Sequence, residues 1–309
     1  MTRPRPRFVP LARHRPGPRL VPRPGPRPGL RPGPRLAAAL FVAALAAVLP
    51  VAGPARAEGT GPRAMVLREA LLGWEAVGRV ELADGSYCTG TLIATDTVLT
   101  AAHCLFDAAR GHAAFDPAAI RFRAGLRAGE AVAVRGVTAA AVDPAFEPAA
   151  AVSPARIRHD MALLRLDAPI PAATAAPFTV AALPPGATEV AVVSFAAGRD
   201  AALSIERGCA VTGRAAGLFA FDCHVSFGSS GAPVFDLSGR RARIVSIISA
   251  GDPDAAVPAA YGMDLSASIA ALKRVLAAAR PPGPAAAATL SAAGETRAGG
   301  ARFLTPPTP

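Results

Sequence analysis

Lysine and aromatic residues are scarce in this sequence of 309 residues. Lys273 is the only lysine, against 32 arginines, and aromatic residues make up 5% of the chain, which leaves little for stacking on nucleic-acid bases. Acidic residues are absent from residues 1–57, which hold 11 of the arginines, so the formal charge of +11 comes from this segment. The other 22 basic residues are balanced by 22 acidic ones, and we therefore expect no nucleic-acid partner.

Cysteine occurs only four times, and no two cysteines have the Cys-x-x-Cys spacing that is typical of structural zinc sites. We therefore expect neither a metal site nor a cofactor. Four cysteines can pair in three ways, and their spacing alone does not choose among them. The four positions are Cys88, Cys104, Cys209 and Cys223.

Residues 1–57 have the composition of an export signal with a long basic n-region. Arg-Pro and Pro-Gly repeats fill the first 35 residues, where proline at this density excludes regular helices and sheet ladders. The uncharged core that follows, Leu36–Leu49, is short for a membrane span but suits the hydrophobic region of a signal peptide.

A cleavage pattern ends this segment. Ala55 and Ala57 satisfy the Ala-x-Ala pattern, so we expect cleavage after Ala57 and a secreted or periplasmic protein without a stable membrane anchor. The alternative is an uncleaved N-terminal anchor, which Pro50, Gly53 and Pro54 disfavour. Export would place the cysteines in an oxidising compartment, where disulfide pairing is the default.

From Trp74 onward, short apolar stretches alternate with turn residues. Most stretches are four to eight residues long and rich in Val, Ile, Leu and Phe, and Asp84-Gly85 is a hairpin-type dipeptide. This succession predicts an all-β sandwich or barrel. Two halves are expected, at about 74–170 and 178–265.

The flanking segments differ from this pattern. Residues 58–73 are interpreted as a propeptide or an N-terminal arm. Residues 265–279 are the one stretch with a convincing helical period, with Ser266 or Ser268 available as the N-cap. Residues 281–309 are of low complexity, and we expect a disordered tail.

Three residues could form a nucleophilic site. A serine hydroxyl attacks well only when a base takes its proton and a third group orients that base. His103 ends the stretch TVLTAAHC, Asp160 opens DMALLRL, and Ser230 lies in GSSGAP. Taken singly, each has an ordinary structural interpretation, as a structural histidine, a turn aspartate and a flexible loop.

Together and in this order, these motifs resemble those of the chymotrypsin-like (trypsin-fold) serine proteases, in particular the bacterial branch that includes the V8-like glutamyl endopeptidases. TAAHC is similar to the histidine motif, DMALLRL to D-[IV]-A-L-[LV], and GSSGAP to G-D-S-G-G-P. The stretch CTGTLI, residues 88–93, matches the strand that leads to the histidine. The resemblance covers about residues 74–280 and implies two six-stranded-type antiparallel β-barrels with a C-terminal helix.

The resemblance also implies roles for individual residues. His103, Asp160 and Ser230 would be catalytic, and the backbone N–H groups of Gly228 and Ser230 would form the oxyanion hole. The segment Ser249, Ala250 and Gly251 falls on the family's substrate-binding strand.

Other positions that the resemblance matches concern disulfide pairing, activation of a zymogen and substrate specificity. Cys88 and Cys104 occupy the positions of the histidine-loop disulfide, and we predict a second disulfide between Cys209 and Cys223. Ser229 stands where zymogen-activated members have an aspartate, which puts activation by a new N-terminus in doubt. Ile248 replaces a histidine through which glutamate-specific members read their substrate, which argues against strict glutamate specificity.

The expected function is thus a secreted serine endopeptidase that acts on polypeptide substrates as a monomer. An α/β-hydrolase is excluded, because no histidine follows Ser230. The subtilisin order needs an aspartate before His103, and Asp84 and Asp96 lie in no suitable motif. The remaining alternative is a secreted trypsin-fold protein that binds a partner with little or no catalysis.

Overall fold

Short strands with many buried side chains dominate the computed structural model, which describes residues 61–252, 255–266 and 268–278 and the backbone of 302–304. The predicted signal peptide, its cleavage site and most of the predicted tail lie outside these residues. None of the helices in the described part is long and apolar enough to cross a membrane.

The N-terminal arm lies against the rest of the protein. It contains strand β1 (Arg63–Ala64) and helix α1 (Arg68–Leu71). The Met65 side chain is buried, and its N–H donates to the carbonyl of Leu203 at 2.7 Å. These contacts anchor the segment to the rest of the chain, and the choice between an arm and a propeptide stays a prediction.

The first barrel comes from the N-terminal half of the chain. Its segment contains β2 (Val77–Glu81), β3 (Tyr87–Ala94), β4 (Thr97–Thr100), the small hairpin β5 (Phe106–Asp107) and β6 (Ala113–Ala114), β7 (Arg121–Ala124), β8 (Ala133–Val142), helix α2 (Pro154–His159) and β9 (Ala162–Leu166). The order β2-β3-β4-β9-β8-β7 closes through the pairing of β7 with β2, and all six pairings are antiparallel.

The second barrel repeats this arrangement. Its strands are β10 (Glu189–Ser194), β11 (Ser204–Ala215), β12 (Leu218–Phe221), β13 (Pro233–Asp236), β14 (Arg243–Asp252) and β15 (Ala259–Met263). The order β10-β11-β12-β15-β14-β13 closes through the antiparallel pairing of β13 with β10, and β1 adds to β11 from outside. The predicted all-β fold with two six-stranded antiparallel barrels is therefore confirmed.

Helix α3 (Ile269–Ala278) packs against β8 and β9 of the first barrel. Its buried side chains, Ile269, Leu272 and Leu276, share one face, as the helical period predicted. The helix begins at Ile269 and not at the predicted residue 265, because a turn in which the Asp264 carboxylate accepts the Ser266 N–H at 2.9 Å precedes it.

One part of the predicted tail has regular structure. Strand β16 (Arg302–Leu304) pairs in parallel with β8 at Ala139–Ala141. The backbone of these three residues of the predicted tail therefore joins the edge of a sheet.

Candidate active site

His103 lies on a single 3-10 turn, Ala102–Leu105, directly after β4. Its neighbour Cys104 forms a disulfide with Cys88 on β3, which ties this turn to the barrel. The His103 side chain is one-quarter exposed. The chain thus presents the imidazole at the surface while its backbone stays anchored.

Asp160 follows α2 and holds His103 at two points. One carboxylate oxygen, Oδ1, accepts the backbone N–H of His103 at 2.8 Å, and the other, Oδ2, lies 2.6 Å from Nδ1 of the imidazole. The Asp160 side chain is fully buried. A buried carboxylate needs such partners, because burial of an unpaired charge is very costly.

The hydroxyl of Ser249 is a third partner of the Asp160 carboxylate, donating to Oδ2 at 2.5 Å. Burial raises the pKa of Asp160 and is the largest single influence on it. The neighbouring His103 charge and the hydrogen bonds from His103 and Ser249 together outweigh burial, so this pKa lies below its ordinary value. The carboxylate is therefore ionised at neutral pH.

The two adjacent serines have different surroundings. Ser229 is buried, and its hydroxyl donates to the carbonyl of Phe195 at 3.3 Å. Ser230 is partly exposed and lines the same cavity as His103. Only the second hydroxyl is therefore placed to meet a bound molecule.

The turn around Ser230 depends on glycine. Gly228 and Gly231 have φ angles of +95° and +75°, a region that other residues rarely adopt. The Phe227 carbonyl accepts the Ala197 N–H at 2.7 Å, which fixes the orientation of the peptide that carries the Gly228 N–H. Within the described residues, the N–H groups of Gly228 and Ser230 have no acceptor, so both remain available to an oxyanion.

A cavity of about 520 Å³ lies beside His103 and Ser230. Its lining consists of His103, Val152, Arg156, Val225, Ser226, Phe227, Ser230, Ile248, Ser249, Ala250, Gly251 and Asp252. The three predicted substrate-binding residues, 249–251, are therefore all in its wall. Phe227 is 84% exposed, so an apolar ring stands at the cavity rim.

The disulfides have the predicted partners, Cys88 with Cys104 and Cys209 with Cys223. Each disulfide approaches a potential metal ligand, the first His103 and the second Glu206. Zinc binds cysteine as the thiolate. Because the sulfurs of both groups are in disulfide bonds, neither group offers a thiolate.

Two polar contacts were not foreseen from the sequence. Ser249 was expected only on the substrate strand, yet its side chain holds Asp160. Glu206 is buried and binds His224 twice, with its Oε1 2.6 Å from Nδ1 and its Oε2 accepting the backbone N–H at 2.7 Å. No local motif marks either contact, because the partners lie 89 and 18 residues apart in the chain.

Comparison with known proteins agrees with the resemblance drawn from the three motifs. The sequence model of a family described as "Trypsin-like peptidase domain" matches residues 88–242. Among solved structures, a Glu endopeptidase in complex with MPD superposes with a TM-score of 0.57 and 18% identity, covering 70% of this chain and 96% of that one. At this identity the likeness is one of fold. No curated protein sequence matches the chain.

Proposed function

The chain belongs to the trypsin-like peptidase family, and we propose that it is an exported serine endopeptidase whose nucleophile is Ser230. The observation that carries this proposal is the position of His103. It contacts Asp160 at 2.6 Å through Nδ1 and shares a cavity with Ser230. A base that is oriented on one side and faces a hydroxyl-bearing cavity on the other is the arrangement that serine nucleophiles need.

The proposed reaction begins with attack of the Ser230 hydroxyl oxygen on a peptide carbonyl carbon. Because the ionised Asp160 favours the proton on Nδ1 of His103, Nε2 is free to take the serine proton. The N–H groups of Gly228 and Ser230 stabilise the oxyanion of the tetrahedral intermediate. The imidazolium then protonates the leaving amine, and an acyl-enzyme forms.

Water completes the cycle. His103 takes a proton from a water molecule that attacks the acyl carbonyl, and it returns that proton to the Ser230 oxygen when the ester bond breaks. A carboxylic acid leaves and the free serine is restored.

Substrate choice is proposed from the cavity wall. Its apolar members include Val225 and Ile248, which are buried, and Phe227, which is exposed. Since Ile248 offers no hydrogen bond to a carboxylate, we expect no restriction to glutamate at the cleaved bond. Two disulfide bonds support the export part of the proposal, because such bonds persist in oxidising compartments.

A fluorophosphonate probe tests the proposal. Incubation of the folded protein, followed by peptide mapping, should place the label on Ser230, and a mixed peptide library should be cleaved. Ser230→Ala should abolish both results, whereas Ser229→Ala is the matched control and should retain the label. Absence of label on a correctly folded protein would favour the non-catalytic binding protein.

A further inference from the structure

We infer that Thr89 is a positioning residue for the oxyanion hole, an inference that rests on the proposed function. Thr89 is fully buried on β3 of the first barrel, whereas the nucleophile loop belongs to the second. Its hydroxyl donates to the carbonyl of Gly228 at 2.8 Å. Its backbone N–H donates to the carbonyl of Ser230 at 2.9 Å. One residue therefore holds both residues whose N–H groups face the oxyanion.

The same hydroxyl also joins a second segment to the loop. It accepts the N–H of Phe195 at 3.0 Å. Two residues further on, the Ala197 N–H donates to the Phe227 carbonyl. Thr89 thus contacts the peptide after Gly228 directly, and it contacts the peptide before Gly228 only through residues 195–197. Its own two side-chain hydrogen bonds are buried, where hydrogen bonds orient groups most strongly.

The glycine at the centre of this loop makes such support necessary. Gly228 has a φ of +95° and can adopt many backbone conformations, so its neighbouring peptides rotate easily when their hydrogen bonds are lost. Rotation of the Phe227–Gly228 peptide turns the Gly228 N–H away from the oxyanion, and rotation of the Gly228–Ser229 peptide displaces the backbone that leads to the Ser230 N–H. Because the Gly228 N–H acts only on the charged intermediate, loss of its hydrogen bond to the oxyanion should lower kcat and leave KM little changed.

The chain supplies a matched control two residues along the same strand. Thr91 is also fully buried, on the same side of β3, but its hydroxyl has no hydrogen-bond partner among the described residues. Replacement of either threonine by valine removes one buried hydroxyl at nearly constant volume. Of the two hydroxyls, only that of Thr89 contacts the loop that carries Gly228 and Ser230.

The experiment compares Thr89→Val, Thr89→Ser and Thr91→Val. Thr89→Val should lower kcat by about ten- to a hundred-fold with KM little changed, the size expected when reacting groups are misplaced by about 1 Å. Thr89→Ser keeps the hydroxyl and should restore most of this loss, and Thr91→Val should behave like the unmodified protein. Equal kcat for both valine variants would overturn the inference, as would a folded serine variant as slow as Thr89→Val.

A second readout does not depend on activity. The amide protons of Ser229 and Gly231 are bonded to the carbonyls of Ser226 and Ile248. In Thr89→Val they should exchange with solvent about ten-fold faster, as expected for loss of roughly one hydrogen bond, while Thr91→Val leaves them unchanged. If the unmodified protein cleaves nothing, the proposed function fails but this measurement still decides the role of Thr89. Should Thr89→Val not fold, Thr89→Ala replaces it in both measurements.

Discussion

Ser249 and His103 share one acceptor, the carboxylate of Asp160. The Ser249 hydroxyl donates to Oδ2 at 2.5 Å, and Nδ1 of His103 lies 2.6 Å from the same oxygen. Ser249 comes from β14 of the second barrel, whereas Asp160 lies between α2 and β9 of the first. The orientation of the proposed base is therefore held from both barrels.

Loss of the Ser249 hydroxyl should lower the free energy of unfolding by an amount that depends on pH. Burial raises the pKa of Asp160, but its charged and hydrogen-bonding neighbours lower it further, so the folded-state pKa lies below the ordinary value. The ionised carboxylate then stabilises the fold above the unfolded-state pKa, and this stabilisation disappears as the pH falls through the folded-state pKa. We expect Ser249→Ala to cost about 1.5–3 kcal/mol at pH 7 and less in acid.

The control for this prediction is Ser246→Ala on the same strand. Ser246 is fully buried, and its hydroxyl donates to the neutral carbonyl of Met263 at 2.8 Å. Its loss should cost about 1 kcal/mol at every pH. Urea unfolding between pH 3 and pH 7 makes the comparison, and parallel pH curves for the two variants would contradict the assignment.

Gly231 should tolerate no side chain. Its φ is +75°, and an added Cβ would lie 2.3 Å from Oγ1 of Thr100 and 2.4 Å from the carbonyl oxygen of Thr89. We expect Gly231→Ala to destabilise the protein by about 3–5 kcal/mol, from left-handed strain plus overpacking. Gly208→Ala is the control, because Gly208 has a φ of +71° with open space around it, and should cost only about 1–2 kcal/mol. Thermal unfolding of both variants measures the difference.

The N-terminal arm should contribute to folding. Leu71 is 1% exposed, whereas the adjacent Leu72 is 58% exposed. Leu71→Ala should lower the free energy of unfolding by about 2–5 kcal/mol, and Leu72→Ala should change it by less than about 0.5 kcal/mol. Chemical denaturation of the two variants is the measurement. Equal, small effects would favour the propeptide interpretation of residues 58–73.

The disulfide beside His103 should stabilise the chain and the site together. Cys88 and Cys104 are 16 residues apart, and the chain-entropy model gives about 3 kcal/mol for a loop of this size. We expect the double variant Cys88→Ala/Cys104→Ala to lose about that much stability and to hydrolyse peptides more slowly, because the turn carrying His103 loses its anchor. The pair Cys209→Ala/Cys223→Ala, 14 residues apart, controls for loop size, and it should lose similar stability while its His103 turn stays anchored. Guanidinium unfolding measures the stability of both double variants, and a peptide assay measures their hydrolysis. An unchanged unfolding midpoint in Cys88→Ala/Cys104→Ala would refute the prediction.

Much of this protein follows from its sequence alone. Short apolar stretches separated by turn residues predict β-structure, because the strands depend on local periodicity and the turns on local backbone preference. The motifs around His103, Asp160 and Ser230 identify the candidate residues, because each motif is short and continuous in the chain.

Contacts between distant segments were decided only by the tertiary structure. Three features depend on residues that lie far apart in sequence. They are the closure of the two barrels, the hydrogen bond of the Ser229 hydroxyl to Phe195 and the pairing of Ser249 with Asp160. Thr89 shows the reason most clearly. In the sequence it is a strand threonine like Thr91, and only the approach of the second barrel gives its hydroxyl partners that lie 106 and 139 residues away.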